Sequence, residues 1–177
     1  MIPYRLLLCF CVFCLEGARA QTIPSALAVP GGNKLILHAY ARGVQIYVCT
    51  QDPRDTSRYV WNLSEPRATL YSSDNYRTQI GKHYFSPTSE PTWESTDGSK
   101  ISATKVQQAA APDSTAIPWL LLKTTAAAGF GPLRATTFVQ RIQTRGGKPP
   151  VPDNNKVHKG QYVSVDYTAE YLFYGPR

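Results

Sequence analysis

Gln161-Tyr162-Val163-Ser164-Val165-Asp166-Tyr167-Thr168-Ala169-Glu170-Tyr171-Leu172-Phe173 decides the fold class of this 177-residue chain. Val163, Val165, Tyr167, Ala169, Tyr171 and Phe173 fall on one parity, and Ser164, Asp166, Thr168 and Glu170 on the other. Successive strand side chains point to opposite faces, so this period of two predicts a half-buried strand. The same alternation is present in Leu35, Leu37 and Ala39, and after Arg42-Gly43 in Val44, Ile46 and Val48 against Gln45, Tyr47 and Cys49. With Arg42-Gly43 as its turn, that segment predicts a hairpin.

Further strands are expected over 58–63, 68–72, 78–85, 100–106, 117–124 and 136–143. Between them stand Ser64-Glu65-Pro66, Ser73-Asp74-Asn75, Asp97-Gly98, Ala111-Pro112-Asp113 and Gly146-Gly147, residue types that favour turns. About nine or ten short strands in one antiparallel sandwich or barrel follow from this spacing. A parallel α/β sheet would need crossovers of a dozen residues or more, usually helical. Only 103–111, with Gln107, Gln108 and the run Ala109-Ala110-Ala111, could form a helix, and it could equally form a strand. Ile117-Pro118-Trp119-Leu120-Leu121-Leu122 is apolar on both parities, which predicts a central strand with Pro118 at its start, paired beside 163–173.

At the N-terminus Arg5 precedes the apolar run Leu6 to Leu15, and Glu16-Gly17-Ala18-Arg19-Ala20 offers small residues for cleavage. The expected organisation is a signal peptide over 1–20, a single β domain over 21–177, and a secreted, extracellular location. Cleavage would remove Cys9, Cys11 and Cys14 and leave Cys49 alone, without an intramolecular disulfide. It would also remove Arg5, Arg19 and Glu16, leaving 17 basic against 11 acidic residues, a net charge of +6. Arg141, Arg145, Lys148, Lys156, His158 and Lys159 gather near a Pro/Gly-rich stretch and predict a solvated basic loop. No basic and aromatic interleaving of the kind that binds nucleic acid is present. With 42% hydrophobic and 18% charged residues the chain is not of the disordered class, and no apolar run reaches the roughly 18 residues of a transmembrane helix.

His83, Trp93, Glu94 and Asp97 fall close together in Gly81-Lys82-His83-Tyr84 and Pro91-Thr92-Trp93-Glu94-Ser95-Thr96-Asp97-Gly98. An aromatic wall beside an acid and an imidazole could hold a sugar or transfer a proton. The plainer account makes Asp97-Gly98 a hairpin turn, Trp93 core and Glu94 a solvated strand residue. In 138–142, Gln140 shares a face with Phe138 and Ile142, so its amide must find partners; Val139 and Arg141 take the other face. His38, His83 and His158 have no metal-ligand spacing. In Gly129-Phe130-Gly131-Pro132-Leu133-Arg134 an arginine stands where a dinucleotide fingerprint needs its third glycine. Neither a metal nor a cofactor is therefore expected. Asn62-Leu63-Ser64 is a glycosylation acceptor in a secreted chain.

Gly43-Val44-Gln45-Ile46-Tyr47-Val48-Cys49, Gly81-Lys82-His83-Tyr84, Pro91-Thr92-Trp93-Glu94, Ile117 to Leu122 and Gln140 to Gly147 together resemble the family called domain of unknown function 3455, from about Pro30 to Tyr174. The resemblance implies an exported protein with no established activity. It also implies a second cysteine in many relatives where this chain has Asp153-Asn154-Asn155, so a family disulfide to Cys49 is absent here. The functional expectation is extracellular binding of a carbohydrate or small polar ligand at His83, Tyr84, Trp93 and Glu94, with Arg141 contributing charge. The alternatives are a secreted hydrolase using His83, Glu94 and Asp97, or a non-enzymatic structural surface protein.

Overall fold

The structure, a computed structural model, describes residues 22–151 and 158–177. The signal segment 1–20, Lys156 and Asp153-Asn154-Asn155 lie outside the described residues. Where alternation is continuous, strands run long: β1 is Asn33–Asp52, β2 Asp55–Tyr71 and β8 Tyr162–Pro176. Between them come β3 (Gln79–Phe85), β4 (Pro91–Ser95), β5 (Lys100–Ala109), β6 (Trp119–Ala128) and β7 (Phe138–Gly146). Each strand pairs antiparallel with the next, and β8 pairs with β1, so the sheet closes into an eight-stranded barrel. The ring is uneven: β2 pairs with β3 only over Ala68–Tyr71 and β5 with β4 only over Lys100–Ser102, so the rest of β2 and of β5 extends past the short strands β3 and β4.

The expected nine or ten strands become eight because two stretches with turn-like composition lie inside strands. Arg42-Gly43 is not a turn; β1 runs through it. A Cβ on Gly43 would meet the Arg67 carbonyl oxygen at 2.0 Å and the Ala68 Cα at 2.5 Å, so glycine here lets β2 approach closely. Ser64-Glu65-Pro66 is likewise inside β2: Ile46 faces Glu65 but Tyr47 faces Leu63, so Ser64 is the extra residue of a β-bulge. The bulge accommodates Pro66, which has no backbone N–H to donate. The helix-capable stretch 103–111 is mostly strand β5, whose antiparallel ladder to β6 fixes it from Ala103 to Ala109. The apolar β6 is paired on both sides, but its neighbours are β5 and β7, and β7 separates it from β8.

The interior is graded along the barrel axis. At the end that carries the Asn33 terminus of β1, Leu70, Ile101, Ala103, Val139 and Phe173 form an apolar core. A helical turn, Pro132–Ala135, lies against this end and buries Leu133 completely. At the other end, where β1 turns into β2, the inward face of β1 is Gln45, Tyr47 and Cys49, all buried. Val44, Ile46 and Val48 face outward and are only half-buried. Small residues on β1 and β2 (Ala39, Ala41, Ala68) stand across from Trp93, Tyr171 and Phe173, the small-against-large match that fills a narrow barrel.

A second core lies outside the ring. Residues 23–29, including the helical turn Ser25–Leu27, cross the outer face of β6, β7 and β8, and bury Leu27 against Trp119, Leu121, Ile142 and Leu172. Gln140 lies beneath this strap: its Nε2 donates to the Leu27 carbonyl at 2.6 Å and its Oε1 accepts from the Tyr174 hydroxyl at 2.9 Å. Gln140 is therefore buried on the outer side of the barrel wall, where it fastens the strap.

Candidate functional site

Strand parity sorts the expected site residues into two groups. His83 pairs with Trp93 across β3 and β4, and both point into the barrel. Their rings stack at 4.6 Å between centroids with planes 12° apart. Tyr171 meets both, at 5.2 Å from His83 and 5.3 Å from Trp93. Arg141 shares the parity of Val139 and also turns inward, where it lines the same cavity.

Tyr84 and Glu94 do not join them, which corrects the expected five-residue pocket. Each is the sequence neighbour of an inward residue, so each projects from the outer face. There the Tyr84 hydroxyl donates to Glu94 Oε2 at 2.7 Å, and Lys82 Nζ lies 3.3 Å from Glu94 Oε1. The hydrogen bond to Glu94, with partial burial, pushes the Tyr84 phenol up to about 12, and the same bond holds the Glu94 carboxyl below its usual range. Asp97 is elsewhere again, in the β4–β5 turn, where its Oδ1 accepts from the Ser99 backbone N–H at 2.7 Å and from the Ser99 hydroxyl at 2.6 Å. His83, Glu94 and Asp97 thus occupy the lumen, the outer wall and a turn, and do not converge.

The lumen at the β1–β2 end encloses a cavity of about 320 Å³. Its polar lining comes from Gln45, His83, Trp93, Lys105, Arg141 and Tyr171, and its apolar lining from prolines, Leu63, Phe85, Leu120 and Leu122. Among the described residues no carboxylate lines it. A shallower surface groove, lined by Arg42, Glu65, Arg67 and Lys82 among others, lies on the outside of the same wall.

His83 Nδ1 lies 2.8 Å from the Thr92 carbonyl oxygen. A carbonyl can only accept, so Nδ1 carries the proton and Nε2 is left as an acceptor. Burial pushes the His83 pKa down to about 3, with the Arg141 charge adding to the effect against the opposing bond to Thr92, so the ring is neutral at ordinary pH. Arg141 is held by the Pro118 carbonyl, which accepts from Nε at 3.2 Å and from Nη2 at 2.9 Å. Among the described residues no carboxylate pairs with it. Burial raises the pKa of Tyr171 and of its neighbour Tyr167, so both phenols keep their protons.

Several buried polar atoms here have no hydrogen-bond partner among the described residues: Gln45 Nε2, Trp93 Nε1 and the hydroxyls of Tyr167 and Tyr171. The two hydroxyls lie near one another and near Gln45 and Arg141, yet no approach closes a good hydrogen bond. Leaving a buried polar group unsatisfied costs about 1–3 kcal/mol, and three of these four residues, Gln45, Trp93 and Tyr171, line the cavity. Gln45, Tyr167, Tyr171, Lys105 and Gln108 were missed as site residues in the sequence. The available signal was parity: Gln45 follows Ala39, Ala41 and Gly43 on one face of β1, as Tyr171 follows Tyr167 and Ala169 on β8.

Fold and site together define a closed antiparallel barrel with a neutral imidazole, a guanidinium and unpartnered donors at one end of its lumen. Residues 30–175 match the family described as Protein of unknown function (DUF3455), and the chain belongs to that family. No curated protein and no solved structure matches the chain. Among the described residues no group of three or more His, Cys, Asp or Glu could hold a metal ion, and no helix is long and apolar enough to cross a membrane.

Proposed function

We propose that this protein is exported and binds a small polar molecule in the barrel cavity at the β1–β2 end. The observation that carries the reading is the set of polar side chains, Gln45, His83, Trp93, Arg141 and Tyr171, that line a space of about 320 Å³. Barrels of eight strands are just wide enough to be filled by side chains or to hold one small ligand, and pockets for small molecules begin near this volume. Export is supported by the sequence alone, through Arg5, the run Leu6 to Leu15 and the small residues before Gln21. The outer face carries Arg42, Arg67, Lys82 and Glu170, unlike the apolar outer band of a membrane barrel.

A carbohydrate is the less favoured ligand. One face of Trp93 is covered by His83, and Glu94, the expected acceptor for sugar hydroxyls, is outside. A hydrolase is disfavoured by the separation of His83, Glu94 and Asp97 and by an imidazole that stays neutral well below pH 6.

Thermal denaturation against a library of metabolites and sugars tests the reading. At a hundredfold excess over Kd a ligand adds about 2.7 kcal/mol, which raises Tm by roughly 5–11 °C for a domain of this size. Gln45→Leu, which removes an unpartnered donor from the wall, is expected to lose the shift while keeping the unliganded Tm. A shift that survives Gln45→Leu unchanged would place binding elsewhere. N-terminal sequencing of material recovered outside the cell, with Gln21 as the first residue, tests export.

A further inference from the structure

We propose that the molecule taken up by the cavity is a small organic carboxylate with an apolar body, its carboxylate gripped by Arg141. The inference rests on the reading of the cavity as a binding site and adds the chemical class of the ligand.

The guanidinium supplies the first argument. It has five N–H donors, and Pro118 engages Nε and one hydrogen of Nη2 along one edge. That contact fixes the plane of the group; the Tyr171 hydroxyl also lies near the guanidinium, and the edge between Nη1 and Nη2 is a two-pronged fork whose spacing matches the two oxygens of a carboxylate. Among the described residues nothing supplies that carboxylate: the ion pairs involve His38, Arg67 and Lys82, and no described Asp or Glu lines the cavity.

The balance of donors and acceptors supplies the second. Gln45 Nε2 and Trp93 Nε1 are donors without acceptors, buried to within 2% of full enclosure. Tyr171, equally buried, has a hydroxyl free to donate. Lys105 at the rim adds a second positive charge, directed to Gln108 Oε1 at 3.0 Å. A wall rich in donors and positive charge is complementary to an anion with several acceptor sites.

The remaining lining supplies the third. Leu63, Phe85, Leu120, Leu122 and Pro118 surround the polar cluster with apolar surface that a fully hydrated ion would leave wet. Inorganic phosphate or sulfate would satisfy Arg141 but cover none of this area, whereas one ring or a short alkyl chain bearing a carboxylate would do both.

Calorimetric titration of the purified protein at pH 7 with cinnamate and octanoate, and with cinnamamide and octanamide as neutral counterparts, tests the class. The acids are expected to bind at least tenfold more tightly than the amides, and inorganic phosphate at least tenfold more weakly than the acids. Arg141→Gln is expected to erase the difference between acid and amide, and Arg141→Lys, which keeps the charge but not the fork, to retain only part of it. The acid-to-amide ratio in the unaltered protein needs no variant, so it decides the matter even if Arg141→Gln fails to fold. Amides or a neutral sugar binding as tightly as the acids would overturn the carboxylate class and leave the cavity reading standing. Acids, amides and sugars all failing to bind would bring down both.

Discussion

His83 is held neutral by burial, and its pKa of about 3 lies far below the 6.5 of an unhindered imidazole. Between those values the unfolded chain takes up a proton that the folded chain refuses, so the stabilisation is complete above about pH 6.5 and drains away as pH falls toward 3. The urea midpoint is therefore expected to decline from pH 7 to pH 4, and to decline less steeply in His83→Phe. Equal slopes in the two proteins would show that His83 is not the group responsible. A neighbouring single-residue test is Gly43→Ala, whose added methyl would collide with the backbone of β2 at Arg67 and Ala68. Overpacking of this kind costs about 3 kcal/mol, a fall in Tm of roughly 6–12 °C. Gly31→Ala, with nothing within 4 Å of the new Cβ, is expected to change stability by less than about 0.5 kcal/mol.

The strap over 23–29 shows how a segment with little secondary structure of its own becomes part of the fold. Leu27 is completely buried and its carbonyl is anchored by Gln140. Leu27→Ala should destabilise the protein by about 2–5 kcal/mol, read from urea unfolding, by removing apolar contacts and leaving a cavity. Gln140→Leu keeps the apolar volume but strands the Leu27 carbonyl and the Tyr174 hydroxyl, at a cost of about 1–3 kcal/mol. Because the strap lies outside the wall, neither change is expected to alter ligand affinity in the folded protein. A large loss of affinity in Gln140→Leu would couple the outer layer to the lumen.

At the scale of the molecule, closure makes the first and last strands mutually dependent: β1 pairs with β8 from Asn33↔Pro176 to Val48↔Tyr162. A chain truncated after Gly160 is thus expected to have no cooperative thermal transition, whereas the intact domain should unfold in one. Pairing strands so far apart in sequence also predicts folding in milliseconds to seconds, measurable by stopped-flow fluorescence of the buried Trp93 and Trp119.

The sequence by itself determined that the chain is built of antiparallel strands, which face of 163–173 is buried, that Asp97-Gly98 turns β4 into β5, and that Gln140 and Arg141 point to opposite sides of one strand. These are consequences of a side-chain period of two and of local turn chemistry, and both are properties of neighbouring residues. Tertiary structure alone decided that the sheet closes with eight strands, that Gly43 and Ser64-Glu65-Pro66 sit within strands, and that Gln45 rather than Val44 faces inward. It also decided that Trp93 and Glu94, adjacent in sequence, belong to different surfaces, and that Arg141 enters the lumen while a strap covers Gln140. Hydropathy identifies a buried face only when the interior is apolar. In this barrel one end of the interior is polar and part of the exterior is covered, so which face counts as inside is set by closure and by the strap, neither of which is encoded in the residues next to it.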